Sequence, residues 1–172
     1  ELAHHRVPRR CIDSVILTHC HADHDGGLLQ KALLEDRITV YTTATIYESF
    51  LRKAEAITGL PADRFADVLD FHPVPIRTEV EIAGARFVFN YTLHSIPTIR
   101  FEVWLGGKSM VYSADTLNDP ERIEAMHRDG VLSDGRCADL LDYPWHHDLI
   151  IHEAGVPPIH TPPQALAQLD DD

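Results

Sequence analysis

The chain is short of cysteine, of positive charge and of long apolar runs, and each shortage closes off a class of protein. Only Cys11, Cys20 and Cys137 occur in 172 residues, an odd number at wide spacing. They match neither a disulfide framework nor a Cys-x-x-Cys zinc site, so a reducing compartment, the cytoplasm, is expected. Lys and Arg number 15 against 27 Asp and Glu, a formal charge of −12. Phosphate contacts need clustered Lys and Arg, so tight, unsteered binding to nucleic acid or an anionic membrane is not expected. Bound metal ions would reverse that field locally and keep an anionic substrate admissible. No apolar run approaches the length of a signal sequence or the about 20 residues of a membrane span, and no internal repeat or domain linker is seen in these residues. The length allows one domain with a real core and is too small for two.

What the chain does have is THCHADHDGG at residues 18–27, directly after the apolar run Val15, Ile16, Leu17. Imidazole nitrogens and carboxylate oxygens suit zinc, manganese or iron, and a strand end is a rigid mount for them. If residues 15–17 are a strand, His19 and His21 project from the same side and can share an ion, while Cys20 faces away. Asp23 and His24, past the turn, would point elsewhere and can hold a second ion close by. A lone histidine is more often a satisfied core residue, but three with a carboxylate would strand their polar groups unless something held them together.

The remaining elements follow from pattern. Leu28, Leu29, Ala32 and Leu33 predict a helix over 25–35, and 38–41 a short strand. Thr45 with Glu48 predicts a capping box for a helix with Ile46, Phe50, Leu51, Ala54 and Ile57 on its apolar face, stopped by Gly59 and Pro61. Short β runs are expected at 68–71, 80–82, 86–91, 100–105 and 109–113, with Gly106-Gly107 as a turn. Asp119-Pro120 starts a helix with Ile123 and Met126 inward. Residues 129–147 read as irregular, 148–151 as a last buried strand, and 162–169 as a helix. Residues 1–10 read as a solvated terminus or a helix end cut from a longer chain, in preference to a small basic patch. A β-rich centre flanked by helices implies a layered α/β domain.

Four apolar runs end in polar groups: 15–17 leads to His19, 87–91 to His94, 110–112 to Asp115, and 149–151 to His152-Glu153. Sites in layered α/β folds gather at such ends. The segment His19-x-His21-x-Asp23-His24, followed by His94 and by Asp115 in a Ser-Ala-Asp-Thr context, resembles the metallo-β-lactamase superfamily. The finer resemblance is to its ribonuclease Z-like phosphodiesterase branch, through His94-Ser95-Ile96-Pro97-Thr98, His152-Glu153-Ala154 and His160-Thr161-Pro162-Pro163.

The resemblance implies an αββα four-layer sandwich, with residues 1–172 as a single metallo-hydrolase domain. It implies that His19, His21 and His94 hold one metal, that Asp23 and His24 hold a second, and that Asp115 bridges them. The cofactor implied is two divalent ions, zinc first, with manganese or iron as alternatives. The branch has an amino-terminal hairpin before its first motif and a final ligand histidine on a strand after its last helix. Neither is in this sequence, so the chain is expected to be an internal portion of a longer protein.

The implied reaction is hydrolysis of a small or cyclic phosphodiester by a metal-bridging hydroxide. Asp23 would orient or deprotonate the nucleophile, and His160, supported by Glu153 and His152, would protonate the leaving oxygen. Transfer-RNA-processing members carry a long arm, often between the third ligand and the bridging aspartate. Twenty residues separate His94 from Asp115 here, so transfer RNA is not the expected substrate. A lactonase, thioesterase or β-lactamase on the same scaffold, or a metal-binding regulatory module without turnover, are the alternatives. No membrane partner is expected, and a homodimer is left open. His5, His72, His127, His146 and His147 are taken as non-ligands, and Trp104 and Trp145 as packing residues.

Overall fold

A computed structural model describes residues 8, 11–34 and 37–167. The reading of residues 1–10, His5 included, lies outside them apart from Pro8, as do Glu35 and residues 168–169 of two expected helices. No helix among the described residues is long and apolar enough to cross a membrane. The chain divides into two compact units, Glu1–Pro75 and Ile76–Asp172, each with its own sheet.

In the first unit, β1 (Ser14–Ile16), β2 (Ile38–Thr42) and β3 (Leu69–Pro73) form a parallel sheet in that order. Parallel neighbours need a crossover, supplied by α1 (Ala22–Leu34) and then by α2 (Ala44–Thr58) with α3 (Ala62–Ala66). The central strand β2 buries Ile38, Val40 and Thr42, every second residue. Against it α2 buries Ile46, Tyr47, Phe50 and Ala54, and Tyr47 stacks flat on Phe71 at 4.0 Å.

Several boundaries differ from the sequence reading. The helix expected from Asp25 begins at Ala22, so Asp23 and His24 sit in its first turn. Carboxylates suit that position because the unpaired N–H groups there carry partial positive charge. The cap of α2 is Thr43, whose hydroxyl accepts from the Ile46 N–H, rather than Thr45. A cap residue needs extended backbone, and Thr43 has it because it leaves β2 directly. Gly59 closes that helix as expected, in the left-handed conformation at φ 70°. Ile57, expected on the apolar face, is 62% exposed in the last turn. The 68–71 run pairs with β2 as β3, and the short α3 was not foreseen.

The second unit is an antiparallel meander of β4 (Glu79–Ile82), β5 (Ala85–Tyr91), β6 (Ile99–Leu105) and β7 (Lys108–Tyr112), with β8 (Leu149–Ile151) added parallel to β7. Its tight turns, Ala83-Gly84 and Gly106-Gly107, each place two successive residues at positive φ, the twist that two-residue hairpins require. Phe89, Ile99 and Val111 of the inner strands are fully buried. The Asp119 carboxylate caps α4 (Pro120–Arg128) as expected, accepting from the Arg122 N–H.

Within the supposedly irregular residues 129–147 lies α5 (Asp134–Leu141), capped by Ser133. Its Cys137 and Leu140 pack with Ile123 of α4. Gly130 and Gly135 obscured that period in the sequence. The last strand is not buried: Leu149, Ile150 and Ile151 are 52%, 37% and 43% exposed. An apolar run identifies a strand without saying what covers it. The short α6 (Pro163–Leu166) follows.

Because β5 and β7 are both antiparallel to β6, and β8 is parallel to β7, the carboxyl ends of β5, β7 and β8 lie on one rim of this sheet. The segments leading to His94, Asp115 and Glu153 therefore leave the sheet on the same side. The same holds in the first unit, where the parallel strands send the loop after β1 and the start of α2 out of one edge.

Candidate metal centre

In the first unit the chain leaves β1 and runs through Leu17 to His21 before α1 starts. The loop is tied down along its length. The Leu17 N–H donates to the Tyr41 carbonyl, and the Thr42 hydroxyl donates to the Leu17 carbonyl at 2.7 Å. The His21 carbonyl accepts from both His24 and Asp25 N–H groups, which starts the helix. His19 is fully buried, and its ring lies 4.9 Å from that of His21, edge-on, and 4.1 Å from that of His24. Three imidazoles are thus gathered in this unit.

Asp23 stands at the surface end of the group, its side chain 79% exposed and 3.6 Å from His24 Nε2. Its own backbone N–H, and then the neighbouring histidines, hold its carboxyl below the usual range. Cys20 faces away from the rings, as alternation predicted, and its Sγ donates to the Ile46 carbonyl. Burial, and then the Asp25 charge, push its thiol up to about 11, so it is protonated at neutral pH.

In the second unit, Asp115 follows β7 through a strained step. Ala114 adopts φ 48°, a left-handed conformation that costs a non-glycine residue about 1–3 kcal/mol and persists only where its surroundings impose it. Those surroundings are hydrogen bonds. The Ser113 N–H donates to the Ile151 carbonyl, the Ser113 hydroxyl accepts from the Glu153 N–H, and the Thr92 hydroxyl donates to the Asp115 carbonyl. The outcome is that the Asp115 carboxylate lies 3.6 Å from His94 Nε2.

The His94 side chain is fully buried, and its Nδ1 lies 3.0 Å from the Ile159 carbonyl. A carbonyl only accepts, so Nδ1 carries the hydrogen and Nε2 presents its lone pair toward the carboxylate. A backbone carbonyl on the far nitrogen is the arrangement that orients a metal-binding histidine. Imidazole nitrogen and carboxylate oxygen facing each other in this way fit a divalent cation. His19 and His21 in one unit and His94 and Asp115 in the other each offer a ligand atom of that kind.

The other expected residues group around Glu153. Its Oε1 accepts from the Thr116 and Thr161 N–H groups at 3.1 and 3.0 Å, and its Oε2 lies 3.4 Å from His160 Nδ1. The His160 ring is 5.6 Å from that of His94. His152 is differently engaged. Its Nδ1 donates to the Glu153 carbonyl at 2.6 Å, its Nε2 meets the Asn118 amide at 3.3 Å, and its ring stacks on Trp145. Both nitrogens are thereby committed inside the fold. His147, taken as a non-ligand, pairs with Glu102 at 3.0 Å.

Burial holds the His152 imidazole below its ordinary range, against the smaller pull of Glu153. The unfolded chain therefore takes up the proton first. Stability from this group is present above the ordinary value of about 6.5 and is lost as pH falls below it. Thermal melts should decline below pH about 6.5, and His152→Leu should flatten that decline; an unchanged profile would contradict the assignment.

Two residues around these groups gave no functional signal in the sequence. Lys53 donates to the Cys20 carbonyl and the Asp25 carboxylate. Gly155 lies so close to His160 that a Cβ there would stand 2.8 Å from the His160 Cβ. Neither belongs to a motif; each matters through a distant partner.

The mixed α/β architecture with its two sheets is that of the metallo-β-lactamase fold. Human tRNase Z, short form, shares the fold, with a TM-score of 0.53 at 19% identity, covering 90% of this chain and 66% of that one. The family model described as anti-Pycsar protein Apyc1 matches residues 1–172, and the chain belongs to that family. It is 52% identical over 166 residues to cGMP-dependent 3',5'-cGMP phosphodiesterase A of Dictyostelium discoideum, covering 96% of this chain and 19% of that protein. It is 45% identical over 160 residues to the cAMP/cGMP-dependent 3',5'-cAMP/cGMP phosphodiesterase B of the same organism, covering 93% and 15%. The chain thus spans less than a fifth of the length of these curated relatives.

Proposed function

We propose that the chain carries a metal-dependent phosphodiesterase centre acting on a small or cyclic phosphodiester. In this reading His19 and His21 of the first unit and His94 and Asp115 of the second hold one divalent ion. Asp23 and His24 contribute to a second, with Asp115 shared between them. Nitrogen and oxygen ligands of this mix favour zinc, with manganese or iron as alternatives. When bound, such ions supply positive charge to the phosphoryl oxygens and make water a usable nucleophile at neutral pH.

The observation that carries the reading is the cluster on the rim of the second sheet, where the His94–Asp115 pair stands beside the His160–Glu153 pair. Glu153, anchored by two backbone N–H groups, orients His160 through Nδ1 and leaves the proton at Nε2 to be given to the leaving oxygen. Asp23, ionised and exposed, orients the attacking water. The Dictyostelium relatives, described as cGMP and cAMP/cGMP phosphodiesterases, support a 3',5'-cyclic nucleotide as the substrate. The turn between β6 and β7 is two residues long, and transfer RNA stays outside the substrates proposed.

The test is turnover by the intact protein with zinc or manganese of 3',5'-cGMP, a thioester and a lactone. Preferential hydrolysis of the cyclic nucleotide is expected; preference for the thioester or lactone would overturn the reading in favour of another reaction on the same scaffold. Gly155→Ala supplies a second check. The added methyl must displace the His160 ring, and a misplacement of about 1 Å can cost ~10²-fold. We expect a fall of that order in kcat with little change in melting temperature; unaltered kcat would mean that the His160 position does not matter.

A further inference from the structure

We infer that Lys53 is a positioning residue for the metal-ligand loop, its ammonium clamping the Cys20 carbonyl to the Asp25 carboxylate so that His21 is held ready for the ion. The inference rests on the metal-centre reading above.

Lys53 lies on α2, 33 residues from Cys20 and 28 from Asp25. Its Nζ lies 2.8 Å from the Cys20 carbonyl and 2.7 Å from each Asp25 oxygen. An ammonium has three N–H donors, and three acceptors surround this one. The Asp25 side chain is 3% exposed and that of Lys53 27% exposed, so the carboxylate is buried and its cationic partner partly so.

A buried ion pair is a weak way to stabilise a fold, because desolvation offsets most of the attraction and apolar residues of similar size often serve as well. What an apolar pair cannot supply is a donor for the Cys20 carbonyl. That carbonyl belongs to the peptide joining Cys20 to His21, so fixing it fixes the plane from which His21 departs. The Cys20 thiol is held at the same time by the Ile46 carbonyl in the first turn of α2, so the helix grips this residue at both ends. On the far side, the His21 carbonyl is held by the His24 and Asp25 N–H groups. Asp25 thus meets Lys53 through its side chain and His21 through its backbone, and closes the clamp around one ligand.

The experiment uses the intact protein stripped of metal and compares wild type, Lys53→Arg and the double variant Lys53→Met/Asp25→Asn, which leaves no uncompensated charge. Melting temperature, zinc affinity by competition with a chromophoric chelator, and the cobalt absorption spectrum are measured. The expected result is a double variant that melts close to wild type, binds zinc about 10–100-fold more weakly and shows an altered cobalt spectrum, the size of loss typical when support for a ligand is removed. Lys53→Arg, which keeps a donor in place, should recover most of the affinity. Wild-type zinc affinity and an unchanged cobalt spectrum in the double variant would overturn the inference alone. A double variant that fails to fold while Lys53→Arg behaves as wild type would make the clamp structural, and would overturn it too. Absence of zinc binding by wild type would sink the metal-centre reading and this inference with it.

Discussion

His94→Ala leaves the intact protein with hydrolysis of bis(p-nitrophenyl) phosphate at the level of the metal-free control and with reduced zinc content. The His94 side chain is fully buried and its Nδ1 is committed to the Ile159 carbonyl, so only Nε2 is directed at the Asp115 carboxylate. Alanine removes that nitrogen and leaves a carboxylate facing a hole. The fall in zinc affinity should exceed the roughly 10–100-fold that follows loss of an outer partner, because here a ligand itself is removed. Chelator competition and turnover measure the two effects on the same samples. Wild-type zinc content with wild-type turnover would remove His94 from the centre.

His160→Gln should lower kcat for a 3',5'-cyclic nucleotide by ~10²–10⁴-fold while leaving zinc content unchanged, the range in which a positioned general acid contributes. The loss should shrink on bis(p-nitrophenyl) phosphate, whose nitrophenolate departs without a proton. That split follows from geometry: Glu153 holds Nδ1 at 3.4 Å, which leaves Nε2 as the proton-bearing atom. Glutamine keeps the size of the side chain but cannot exchange a proton with the leaving oxygen. Equal losses on both substrates would mean that His160 acts on binding or folding rather than on proton transfer.

The candidate ligands stood out in the sequence because their chemistry is local. Histidines and an aspartate at the ends of apolar runs are costly unless used, and the apolar runs of β1, β5 and β7 are visible in the chain. The register of the second sheet then puts the ends of β5, β7 and β8 on one rim. What escaped depends on approach between distant residues. Lys53 on an amphipathic helix reads as a solvated side chain until its three acceptors are seen. Gly155 reads as a loop glycine until the His160 side chain is found against it. His152 carried the motif, yet its two nitrogens are taken by the Glu153 carbonyl and Asn118, a fact no spacing contains. In the fold, α5 was hidden by two glycines, and Thr43 was passed over as a cap because Thr45 had the better-spaced glutamate. The exposure of β8 was missed for the opposite reason: three apolar residues in a row look buried whatever lies beside them.

The most direct measurement is a zinc titration of the metal-stripped intact protein, following 3',5'-cGMP hydrolysis and bound zinc together. The account predicts that turnover is absent at the start, rises in step with tightly bound zinc and falls again on chelation. Full zinc loading with no hydrolysis of any phosphodiester, or undiminished hydrolysis after zinc has been stripped, would contradict it.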